Sequence, residues 1–117
     1  MDLNNLGATN LEIRLYLENP QGGPPTDEAI STGFFLPAGS GWQKATFSGS
    51  GLTALNGNIN TLLGDVTAIR ILHNTSAGFP PVAVAASLGV DNITAIPEPS
   101  AGLLVAAGIA MIARRRR

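Results

Sequence analysis

Few residues of this 117-residue chain are of a type and spacing that could do chemistry, and the single histidine is the first to weigh. With Asp65 or Asp91 and one of the serines, His73 could complete a hydrolase triad, in which the imidazole takes the serine proton and a carboxylate orients the ring. No G-x-S-x-G elbow is present to expose such a serine. His73 is therefore expected at a strand end, on the surface or in the core. Asp65, Asp91 and Asn92 are hard oxygen ligands of the kind calcium takes, but no D-x-D-x-D run gathers them. Turn hydrogen bonds are the expected work of Asp91 and Asn92. Gly49-Ser50-Gly51-Leu52-Thr53-Ala54 fits the G-x-G-x-x-G/A pattern. A dinucleotide cradle needs a parallel βαβ unit and an acidic residue about 20 positions on. Asp65 lies 11 positions past Ala54, and Gly57 sits where the helix would run, so a turn between strands is expected. The chain has no cysteine, which removes disulfides, thiolate metal sites and a thiol nucleophile. No catalytic residue, metal ligand or cofactor is assigned, and the chain is read as not being an enzyme.

Two aromatics could bind rather than react. Tyr16 and Trp42 are the only residues of their types. An exposed aromatic ring can pack on the apolar face of a sugar ring. Tyr16 falls on the polar side of an alternating segment and is expected to point outward, so it is the candidate stacking residue. Trp42 is expected to pack in the core or at a sheet edge.

The elements that would position these residues are strands. Leu11, Ile13, Leu15 and Leu17 alternate with Glu12, Arg14, Tyr16 and Glu18, a period-two pattern that predicts a half-buried antiparallel strand. Further strands are expected at Ile30–Leu36, Trp42–Ser48, Val66–His73 and Leu88–Ile96, with a short, weak one at Val82–Ala86. Asn19–Pro25, Pro37–Gly41, Gly49–Gly51 and Asn74–Pro81 are turns or loops, since Gly and Pro punctuate strands. Leu52–Leu63 has room for a helical turn or two, and Asn56-Gly57-Asn58 argues against one continuous helix. The fold class is mainly β: a small antiparallel β-sandwich, jelly-roll-like, over residues 1–96. Met1–Asn5 lacks the positive start, apolar run and cleavage site of a signal peptide. Five or six short strands make a thin sandwich. The expectation is the C-terminal part of a longer protein, although a truncated gene or a mis-assigned start fits as well.

Residues 97–117 are of different character. Pro97-Glu98-Pro99 is a rigid, extended spacer, because each proline fixes its own φ and turns the residue before it away from helix. Residues 100–113 carry no charge, and Leu103, Leu104, Val105, Ile109, Met111 and Ile112 supply the hydrophobicity. As a helix this run spans about 21 Å, short of the roughly 30 Å hydrocarbon core. It has no polar face, and Arg114, Arg115, Arg116 and Arg117 follow it. Arginines can snorkel to the interface while the bilayer thins, so a transmembrane helix is the expectation. The positive-inside rule keeps those arginines cytoplasmic and puts residues 1–96 on the far side of the inner membrane. Charge is divided in the same way: residues 1–96 hold seven acidic and three basic side chains, and residues 97–117 hold one and four. An acidic body is ill suited to nucleic acid, whose phosphates need spread Lys and Arg.

Pro97-Glu98-Pro99, the apolar stretch and the terminal arginines, in that order, resemble the PEP-CTERM sorting signal. That resemblance implies transient anchoring in inner-membrane lipid, recognition by an exosortase, and cleavage near Pro-Glu-Pro with release to the cell surface or extracellular matrix of a Gram-negative, exopolysaccharide-producing bacterium. The body is similar, more loosely, to the C-terminal half of β-sandwich domains found in such proteins. Gly41–Phe47 resembles their central strand, Val66–Leu72 a later one and Gly89–Ile93 the last. Some related sandwiches are carbohydrate-binding modules, and no ligand residue maps onto this chain. The reading is an exported, non-enzymatic envelope or matrix protein. The alternatives are a binding module for exopolysaccharide and a fragment of a secreted hydrolase without its catalytic part.

Overall fold

The alternation at Leu11–Glu18 becomes the longest strand of the molecule. The computed structural model describes residues 1–96. In chain order its elements are β1 (Asp2–Asn5), β2 (Leu11–Asn19), β3 (Asp27–Ile30), β4 (Phe34–Leu36), β5 (Trp42–Lys44), a 3₁₀ turn (Gly49–Gly51), β6 (Thr53–Asn56), α1 (Ile59–Gly64), β7 (Ala68–His73) and β8 (Leu88–Asp91). The protein is mainly β, with two antiparallel sheets and almost no helix. One sheet has three strands in the order β5-β1-β8. The other is built around β2, which pairs with β3, β4 and β7, while β6 extends it beyond β3.

β3 and β4 lie on one edge of β2, because β7 overlaps both of their pairings along the other. They take the place of the single strand expected over Ile30–Leu36. Tyr16 faces Ile30 and Ile13 faces Phe34. Four steps along one strand therefore match three along the other, which is the count of a β-bulge. The extra residue is held by hydrogen bonds: Leu15 N–H donates to Ser31 Oγ at 2.8 Å, Ser31 N–H donates to Leu15 O at 2.9 Å, and the Arg14 guanidinium donates to Ser31 O at 3.0 Å. A bulge leaves backbone groups off the ladder, and here side chains satisfy them.

Other boundaries also differ from expectation. β5 stops at Lys44 rather than Ser48, after Met1 and Ala45 exchange a last pair of hydrogen bonds. β8 ends at Asp91 rather than Ile96, because Asn92 turns the chain with φ of 51°. Val82–Ala86 forms no strand. Leu52–Leu63 holds the expected helical turn as α1, but the strand β6 precedes it. Between them Gly57 adopts φ of 68°, and Asn58 caps α1 by accepting from Asn60 N–H and Thr61 N–H. β1, central in its sheet, is made from residues in which no strand was expected.

Two apolar clusters form the core. Leu3 of β1 meets Leu11 and Ile13 of β2, Leu36 of β4 and Ala45, with Phe34, Ile71 and Leu88 packed around them, so this cluster joins the two sheets. Leu17, Ala29 and Leu62 form the second, beneath α1. Fully burying a side chain such as Leu62 stabilises by about 1.5–3 kcal/mol.

Candidate functional site

Both faces of β2 are covered, which corrects the half-buried reading. Tyr16 is 1% exposed, Glu18 5% and Arg14 7%. The cover comes from the chain after β7. The Phe79 ring stacks on Tyr16 with centroids 4.4 Å apart, and Asn74 O accepts from Arg14 Nε at 2.9 Å. Tyr16 is thus not an outward platform for a ligand, because its ring already has a partner. Its hydroxyl donates to the Glu28 carboxylate. Burial first, then that hydrogen bond and the charges of Glu28 and Glu18, push the phenol pKa well above its ordinary value.

Glu18 and Glu28 sit opposite one another in register across β2 and β3. Paired carboxylates are the apparatus of glycoside hydrolysis. In this pair each is engaged: Glu18 Oε1 accepts from Arg70 Nη2 at 2.5 Å and Nε at 3.1 Å, and Glu28 holds the Tyr16 hydroxyl. Glu12 closes the row by accepting from Arg14 Nη2 at 2.6 Å. The arrangement is a satisfied network that fastens the 74–79 segment to the sheet. The alternation hinted at the row, but nothing local signals the segment that closes over it.

The residues weighed for a triad or a metal are placed apart. His73 Nδ1 accepts from Glu12 N–H at 2.9 Å, so the imidazole satisfies a backbone donor at the end of β7. Asp65 accepts from Asn19 at 3.3 Å. Asp91 accepts from Asn92 N–H, and Asn92 Nδ2 donates to Asp2 at 2.7 Å, which are turn and cross-strand bonds. Among the described residues, no three His, Cys, Asp or Glu side chains stand together as a metal-holding group. Gly49–Ala54 is a 3₁₀ turn running into β6, the expected connection between strands.

Trp42 is exposed, as are Phe35 and the outer side of Phe79. Trp42 lies on the edge strand β5, 56% exposed, and so packs at an edge rather than in the core. Trp42, Asn4 and Gly89 are in register across the three strands, and Lys44, Asp2 and Asp91 form the next row. Register partners share a face. Leu3, one position along β1, is fully buried against the other sheet, so these six residues occupy the face turned away from the core.

Pro97, Glu98, Pro99, the apolar residues Leu103, Leu104, Val105, Ile109, Met111 and Ile112, and Arg114–Arg117 lie outside the described residues. Among the described residues, no helix is long and apolar enough to cross a membrane. In comparisons with known proteins, no family model matches the chain, and no curated protein or solved structure is similar to it.

Proposed function

We propose that this chain is an exported, non-enzymatic cell-envelope or extracellular-matrix protein whose residues 97–117 form a sorting signal of the PEP-CTERM type, acted on by an exosortase. In this reading residues 1–96 are a jelly-roll-like β-sandwich, and residues 100–113 are a transmembrane helix. The observation that carries it is one of order: Pro97-Glu98-Pro99, fourteen uncharged residues, then four arginines. Each part has a physical task. The prolines keep the segment between body and membrane extended and open to a processing enzyme. The apolar run partitions into lipid. The guanidinium groups cannot cheaply cross, so they stop transfer and fix orientation with the body outside.

The test is fractionation in a Gram-negative host that has an exosortase. The parent chain is expected in the inner membrane, with a shortened form at the cell surface or in the medium. Replacing Arg114–Arg117 by serine is expected to weaken retention and scramble orientation, read by protease access from the periplasm. Unchanged inner-membrane residence and orientation would refute the proposal.

A further inference from the structure

The outer face of the three-stranded sheet has a geometry that the sorting tail does not explain. A Cβ built on Gly89 would lie 3.2 Å from Trp42 Cη2 and 3.4 Å from Asn4 Cβ. Trp42 sits on β5 and Gly89 on β8, with β1 between them. Neighbouring strands are about 4.8 Å apart, so these backbones are separated by roughly 10 Å. An indole standing upright on β5 would not come near Gly89. The ring must therefore lean along the sheet, across Asn4, into the space left by the absent Gly89 side chain. One side of it meets the sheet, and 56% of the residue remains open to solvent.

The surroundings of that ring define what fits on it. The neighbouring row is Lys44, Asp2 and Asp91, which offers an ammonium donor and two carboxylate acceptors. Asn92 Nδ2 holds Asp2 at 2.7 Å and so helps to set the rim. No second apolar side chain occupies the six register positions of this face. A protein partner anchors an indole within a water-excluding surround, and charged residues are depleted from such centres. A sugar needs the opposite: one flat apolar surface for its C–H face and polar groups around it for its hydroxyls. Two carboxylates against one ammonium disfavour an acidic sugar.

We infer that Trp42, seated over Asn4 and Gly89, is a stacking platform for a neutral pyranose with equatorial hydroxyls, whose hydroxyls bond to Lys44, Asp2 and Asp91. This site belongs to the body and stands or falls separately from the tail.

Trp42 is the sole tryptophan, so its emission reports the site directly. The full chain in detergent micelles is titrated with cellohexaose and with hexa-N-acetylchitohexaose to roughly 10 mM, where a Kd of about 1 mM is near saturation. A saturable change in emission with at least one of them is expected, and none with hexagalacturonate. By calorimetry, Trp42→Ala is expected to lower affinity at least about tenfold, the scale of an interface anchor. Trp42→Phe is expected to keep most of the binding. Gly89→Leu, which displaces the indole, is expected to weaken binding without changing the far-UV spectrum. No saturable response to either neutral hexasaccharide would overturn the inference. So would undiminished binding by Trp42→Ala, or a preference for hexagalacturonate.

Discussion

Replacing Arg14 by methionine tests whether the polar row on β2 holds the molecule together. Three hydrogen bonds converge on this guanidinium: to Asn74 O at 2.9 Å, to Ser31 O at 3.0 Å and to Glu12 Oε1 at 2.6 Å. The first two are buried, and a hydrogen bond from a charged donor contributes about 1.5–3 kcal/mol. Glu12 is about a third exposed, so its ion pair adds only about 0–1 kcal/mol. Methionine regains part of the stem's packing. The expected loss is about 3–5 kcal/mol, the range for breaking a buried charged contact. Domains of this size are stable by about 5–14 kcal/mol, so the loss is a large fraction of the total. Urea unfolding of the full chain, followed by far-UV circular dichroism, measures it. Arg14→Lys is expected to retain roughly half, because one ammonium cannot reproduce a fork aimed at two carbonyls. Under limited proteolysis of Arg14→Met, the first cuts are expected between Asn74 and Ala86, the segment this side chain ties down. A loss below about 1 kcal/mol would refute the argument, since it would mean that solvent or repacking replaces the fork at little cost.

Two further outcomes follow from the same geometry. Tyr16 has its folded pKa raised, so above the ordinary phenol value of about 10 the unfolded chain releases a proton that the folded chain keeps. Stability should be fully present below that pH and fall as pH rises past it. Tyr16→Phe, in a chain with no other tyrosine, should lack this component, and parallel pH profiles would contradict it. Gly57→Ala forces a side chain onto φ of 68° and into the Thr26 carbonyl and the Asp27 carboxylate, and should cost about 2–3 kcal/mol by urea unfolding. Gly22→Ala, at φ of 78° with open space around it, should cost only about 1 kcal/mol, and equal losses would show that the overlap is relieved.

Much of the strand pattern was legible because it is local. Period-two alternation over Leu11–Glu18 decides which side chains share a face, and β2 forms where it says. The β-branched run before His73 becomes β7. Element ends were less legible, since they depend on partners. Ile30–Leu36 breaks because its register with β2 takes up one extra residue, and β1 exists because β5 and β8 flank it.

The two aromatics show where local reading stops. Alternation put Tyr16 on the polar side of its strand, and that is correct; it carries no information about what later covers that side. The cover is Phe79, 63 residues further along the chain. Trp42 lies open because its strand is an edge and because Gly89, from the far side of the same sheet, leaves room for the ring to lean. The sequence by itself determined the β class, the place of β2 and the division of charge between residues 1–96 and 97–117. Each of these follows from neighbours in the chain. Which rings meet water was decided only by tertiary structure, because burial depends on segments that meet only once the chain has folded.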